Sequence, residues 1–175
     1  MGLLPARHTI GFVGRLAPEK RVDQLIAALD HLPDGTQLVV VGDGPLREAL
    51  TQRSEQLRRG AVHFAGRVSS PAALNRFYNA FDLLVLPSES EGFPAVLLES
   101  LAAGTKTLAS DLSGPRALLG DGECGSLSRA RDAVELAAEI RAALELATNP
   151  ERLRERAGGY SWQAVCATHA AILDA

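Results

Sequence analysis

Cysteine is nearly missing from this chain of 175 residues: Cys124 and Cys166 stand far apart and match no metal-ligand or redox spacing. That excludes a disulfide-stapled scaffold and a thiolate zinc site, and it leaves two free thiols in a reducing compartment, with the cytoplasm as the expected location. Aromatic residues make up 5% and the net charge is −3, so the chain lacks the interleaved basic and aromatic side chains of a nucleic-acid surface. No apolar run approaches about 18 residues, and "MGLLPARHT" has no signal-peptide core, so no spanning or exported segment is expected. Peripheral membrane contact is left open. His8, His31, His63 and His169 share no triad or ligand spacing, and no Asp-x-Asp pair occurs. The histidines are therefore expected to be structural or exposed, no metal and no cofactor are expected, and Trp162 reads as a helix-docking residue.

What is present is 46% hydrophobic and 22% charged sequence, the composition of a soluble globular domain large enough to bury its own core, here residues 1–175. Short apolar runs, "HTIGFVG", "TQLVVVG", "AVHFAG", "DLLVLPS" and "TKTLAS", read as strands, because buried parallel strands are continuous apolar runs. Between them lie helical patterns: Val22, Leu25, Ile26, Leu29 and Leu32 at helical spacing; "PLREALTQRSEQLRR", which Pro45 starts; "SSPAALNRFYNAF", with a serine cap; and "PAVLLESLAAG", with Pro94 in its first turn. From Arg131 onward the pattern is helix only, a tail over about 131–175 in which Ser161 is the expected cap of the last helix. The fold class is α/β: a Rossmann-like parallel β-sheet flanked by helices, with a helical C-terminal segment.

In such sheets ligands bind beyond the carboxyl ends of the strands. The loop after the first strand, "GRLAPEK", offers Gly14 for close backbone approach, and Arg15 and Lys20 as cations for phosphate oxygens or as plain solvated charges. "GDGPLR", after the second strand, reads as a structural turn, since it carries neither the G-x-G-x-x-G spacing nor a Walker loop. In "SESEGFPAVLLES" the carboxylate of Glu91 falls in a loop and that of Glu99 inside the following helix, on the face with Ala95 and Ala103, opposite Leu98 and Leu101. Because Pro94 has no N–H, the free donors of that helix start are Ala95 and Val96, joined by Gly92 and Phe93 of the turn; together they form an anion site. Two carboxylates beside an anion-binding helix start suit a ligand that carries both hydroxyls and phosphates, such as a sugar nucleotide.

The blocks "VGRLAPEKRVDQLIAAL", "LVVVGDGPLREAL", "VHFAGRV", "DLLVLPSESEGFPAVLLESLAAG" and "SDLSGPRALL" resemble, in order and spacing, the C-terminal half of retaining glycosyltransferases of family 4, which have the GT-B fold. Glu91 to Glu99 is similar to that family's E-x7-E signature. The resemblance runs from Thr9 to the "YSW" near Tyr160. It implies that Arg15 and Lys20 bind the donor diphosphate, that the backbone near Arg67 and Val68 contacts the base, and that Glu99 accepts from the ribose hydroxyls. Glu91, as the catalytic-site carboxylate, and the amides from Gly92 through Phe93, Pro94 and Ala95 to Val96 would hold the transferred sugar and phosphate.

The implied chemistry is transfer from a UDP-sugar, or next a GDP-sugar, to an acceptor hydroxyl with retention, and "EGFPAVLLES" with "SGPRALL" resembles the branch that builds bacterial cell-surface glycans on lipid-linked acceptors. Ala117 and Lys106 depart from the family pattern at places that bear on the donor sugar. The acceptor-binding N-terminal half of the GT-B fold is absent, so the expectation is a donor half with weak or no turnover alone. The alternative is a non-catalytic nucleotide-sugar-binding subunit or assembly module that needs a separate N-terminal partner. A full-length enzyme would work at the cytoplasmic face of a membrane.

Overall fold

A computed structural model of the protein describes residues 8–120, 122 and 124–160. The expected last helix, its Ser161 cap, Trp162, Cys166 and His169 lie outside the described residues. The chain alternates β1 (His8–Val13), α1 (Val22–Ala28), β2 (Thr36–Val41), α2 (Arg47–Ser54), β3 (Ala61–Gly66), α3 (Pro71–Ala80), β4 (Leu83–Leu86), α4 (Ala95–Ala103), β5 (Thr107–Ser110), α5 (Ser113–Leu119), β6 (Ser126–Ser128), α6 (Ala133–Glu145) and α7 (Pro150–Gly158). All strand pairs are parallel, and the sheet order is β3-β2-β1-β4-β5-β6. The chain is thus wound outward twice from the centre, and the order reverses direction between β1 and β4.

Burial explains the strands. β2 is buried along its whole length and β1 almost so, whereas the edge strand β3 is half-exposed. The helices bury one stripe each; in α4 this is Leu97, Ser100 and Leu101, which turns Glu99 outward.

After Arg131 the described residues form helices alone, α6 and α7, as expected; between β5 and Arg131 the chain adds α5 and a short sixth strand. Three expectations are corrected. α2 begins at Arg47, two residues after Pro45, and ends at Ser54, because Asp30 Oδ1 accepts the N–H groups of Arg58 (2.8 Å) and Arg59 (3.0 Å) and draws that stretch off the helix axis. Pro94 is the residue before α4, with φ −77° and ψ 97°, and does not lie in its first turn. Leu98 is only half-buried, and the inward face is carried by Leu97 with Leu101. The Ser70 cap of α3 is present, its Oγ accepting from Ala73 N–H.

Several helix C-termini are closed by basic side chains from other elements. Lys106 Nζ donates to the carbonyls of Ala143 (3.3 Å), Leu144 (2.8 Å) and Leu146 (3.1 Å) at the end of α6. From α7, Arg154 reaches the carbonyl of Ala103 and Arg156 those of Ala117 and Leu118, at the ends of α4 and α5. These carbonyls have no partner within their own helices, and the positive charge also meets the negative end of the helix dipole.

Candidate functional site

The reversal of strand order opens a crevice between the loops that follow β1 and β4, and the predicted residues collect on its two sides. On the β1 side, residues 14–21 are laced to the loop after β2: Gly14 N–H donates to Val41 O, Leu16 N–H to Asp43 O and Leu46 N–H to Leu16 O, each at 3.0 Å. Gly42, at φ +138°, sits against the Gly14 carbonyl, where a Cβ would overlap it. The "GDGPLR" glycines are therefore packing residues, as the sequence suggested.

This lacing forms one wall of a cleft of about 520 Å³ whose lining includes Gly14, Arg15, Asp43, Arg67, Val68 and Leu74. Arg15 and Arg67 are exposed, and neither makes an ion pair or side-chain hydrogen bond among the described residues. Two guanidinium groups without carboxylate partners beside apolar Val68 and Leu74 make a surface suited to an anion joined to a flat apolar ring.

Lys20 closes the 3-10 turn Pro18–Lys20, and its ammonium lies 2.7 Å from Glu91 Oε1. Ser88 Oγ donates to the same oxygen at 2.6 Å. The Lys20 and Glu91 side chains keep 19% and 10% of their surface, and Ser88 keeps 1%. Backbone pairing supports the contact, since Glu89 N–H donates to Glu19 O at 2.8 Å. The cation and carboxylate that the sequence placed in separate loops are thus one ion pair bridging the crevice.

Above Glu91 the chain enters α4 without a side-chain cap. The N–H groups of Gly92, Phe93, Ala95 and Val96 meet no acceptor among the described residues. Gly114, at the start of α5, abuts the Gly92 carbonyl and leaves no room there for a side chain. Phe93 is 56% exposed and touches the Tyr160 ring at a centroid distance of 5.7 Å.

Glu99 lies one turn further along α4, in an adjoining cleft of about 430 Å³ whose lining includes Ser69, Pro71, Leu74, Tyr78, Glu99 and Ala102. Leu74 lines both clefts and stands between them. Tyr78 Oη donates to Glu99 Oε2 at 2.6 Å. Burial first, and the Glu99 carboxylate second, hold the Tyr78 phenol far above its ordinary range, so it remains a donor.

Sequence reasoning missed Ser88 and Tyr78. Ser88 lies inside the stretch that carries the glutamates, but nothing in its spacing marks it; Tyr78 sits in the helix after Ser70 with no local signal of a polar role, and the structure buries its ring in the core. Lys106 and Ala117 prove to be packing features. Lys106 precedes β5, at the amino end of the sheet and away from the crevice, where burial lowers its pKa and Asp82 opposes that shift. Ala117 contributes its carbonyl to Arg156 and to Tyr160 Oη. Cys124 is a buried free thiol, and the described residues contain no group of three or more His, Cys, Asp or Glu placed to hold a metal ion. No helix among the described residues is long and apolar enough to cross a membrane.

Residues 4–159 match the family described as glycosyl transferases group 1. The chain is 33% identical over 178 residues to a D-inositol 3-phosphate glycosyltransferase of Segniliparus rotundus, covering 94% of this chain and 39% of that protein. It is 41% identical over 123 residues to a GDP-mannose-dependent alpha-mannosyltransferase of Mycolicibacterium smegmatis, covering 69% of this chain and 30% of the relative. Among solved structures, Anabaena HepE in complex with UDP superposes with a TM-score of 0.82 at 25% identity, over 95% of this chain and 48% of that one. The chain therefore spans well under half the length of the curated relatives it matches.

Proposed function

Because the chain belongs to the glycosyl transferases group 1 family, we propose that it is the donor-binding half of a retaining, family 4 glycosyltransferase of the GT-B fold. The observation that carries this reading is the Lys20–Glu91 pair at 2.7 Å, which brings a phosphate-binding cation and a sugar-facing carboxylate together where the strand order reverses.

Arg15, Lys20 and the open amides of Gly92, Phe93, Ala95 and Val96 bind the donor diphosphate. The chain near Arg67 and Val68 takes the base, and Glu99 accepts from the ribose hydroxyls. In the reaction the bond between the anomeric carbon and the diphosphate oxygen breaks, an acceptor hydroxyl oxygen takes its place on the same face and gives up its proton to the departing diphosphate, and the nucleoside diphosphate leaves. The cations and amides stabilise the charge that develops on the leaving oxygens. Glu91, held by Lys20 and Ser88, positions charge beside the sugar and forms no covalent bond.

UDP is the first expected carrier, supported by the HepE complex; GDP is the second, supported by the mannosyltransferase relative. The acceptor, a cell-surface glycan or its lipid-linked precursor, binds a further N-terminal domain of the full-length enzyme at the cytoplasmic face of a membrane. Calorimetric titration with UDP and with GDP, beside Arg15→Ala and Glu99→Ala, tests the reading. Saturable binding of one nucleotide, weakened in both variants, is expected; no binding of either by the wild-type chain contradicts it.

A further inference from the structure

Glu99 faces solvent on α4 among alanines, Ala95, Ala102 and Ala103, which offer it no hydrogen-bonding side chain. A glutamate so placed would sample many rotamers, and fixing it at a ligand would cost conformational entropy at each binding event. Its one partner among the described residues is the Tyr78 phenol, on Oε2 at 2.6 Å, which leaves Oε1 without a protein donor.

Tyr78 is anchored from several sides. Its side chain keeps 2% exposure, Phe81 packs edge-on at 6.3 Å and 84°, and its own carbonyl accepts from Thr105 Oγ1 at 2.7 Å. A buried ring therefore carries a charge-assisted hydrogen bond out to an exposed carboxylate that lines the cleft.

We infer that Tyr78 is a positioning residue for nucleotide recognition: its phenol holds Glu99 Oε2 so that Oε1 is aimed into the cleft, preset to accept from a ribose hydroxyl. The inference rests on the ribose role given to Glu99 above. Tyr78 touches no ligand itself and acts through the carboxylate, by removing the cost of ordering it when the nucleotide arrives.

The test compares UDP with 2′,3′-dideoxyuridine diphosphate, or the guanosine pair if GDP is the nucleotide bound, in wild type, Tyr78→Phe, Glu99→Ala and the double variant. Tyr78→Phe keeps the ring and should weaken the parent nucleotide about 5- to 10-fold, while leaving the dideoxy analogue unchanged. In the Glu99→Ala background it should cost nothing more, because the two act as one unit. Equal losses for both nucleotides, or losses that add in the double variant, would mean plain core damage and overturn the inference. If Glu99→Ala weakens the parent nucleotide and Tyr78→Phe does not, the inference alone falls; if Glu99→Ala has no effect, the ribose role falls and takes the inference with it.

Discussion

Replacing Glu91 by glutamine should make the domain bind a nucleoside diphosphate more tightly. A bound diphosphate must share the Lys20 ammonium with Glu91, which in the free domain holds it at 2.7 Å, with side-chain exposures of 19% and 10%. The direct attraction at that distance is about 6 kcal/mol for an effective dielectric near 20, but partial burial of both charges offsets most of it. A net commitment of about 1–2 kcal/mol remains, which converts to an affinity gain of about 5- to 30-fold for UDP once the competing charge is removed. Calorimetry at fixed, low ionic strength is the assay, because salt screens the exposed part of the effect. The gain should be smaller for the UDP-sugar than for UDP, since the sugar loses its contact with Glu91. Equal or weaker UDP binding in Glu91→Gln would refute the argument and make Glu91 a ligand of the diphosphate's surroundings in its own right.

Lys106→Met keeps the side-chain stem but removes the charge from the carbonyls at the end of α6. It should lower stability by about 1–2 kcal/mol, or Tm by about 2–8 °C, with nucleotide affinity unchanged; an unaltered melting curve would contradict the capping role. The raised folded-state pKa of Tyr78 gives stability that is fully present below its ordinary value of 10.0 and lost as the pH rises beyond it. Urea unfolding at pH 9, 10 and 11 should therefore show wild type losing about 1 kcal/mol more than Tyr78→Phe between pH 10 and 11; parallel curves would exclude a buried protonated phenol.

Much of the fold was legible because the inner strands, such as "TQLVVV", are continuous apolar runs that no surface element would carry. β6 was not, since "SLS" is a three-residue polar strand at the sheet edge, paired with β5 alone. α5 hides for a similar reason: its opening Ser-Gly-Pro has loop composition, and its place is set by packing against the turn at Gly92. In the candidate site, Arg15, Lys20, Glu91 and Glu99 were named from local context, but not that Lys20 and Glu91 touch. They are 71 residues apart, and only the adjacency of β1 and β4, which no local pattern encodes, brings them together.

That adjacency also bears on how the domain assembles. β1 matches β2 along six residues, from His8 with Thr36 to Val13 with Val41, but matches β4 only at Ile10 with Leu83 and Gly11 with Leu84. Three strands on each side can form from near neighbours in the chain, whereas the β1–β4 seam must close a far longer loop and should form late. The crevice loops straddle the seam, so the proposed ligand site should be among the late parts of the domain to form during folding. A bound nucleotide gripping both loops would then act as a clasp, slowing amide exchange along the β1–β4 seam more than along the β1–β2 seam, which is paired over six residues.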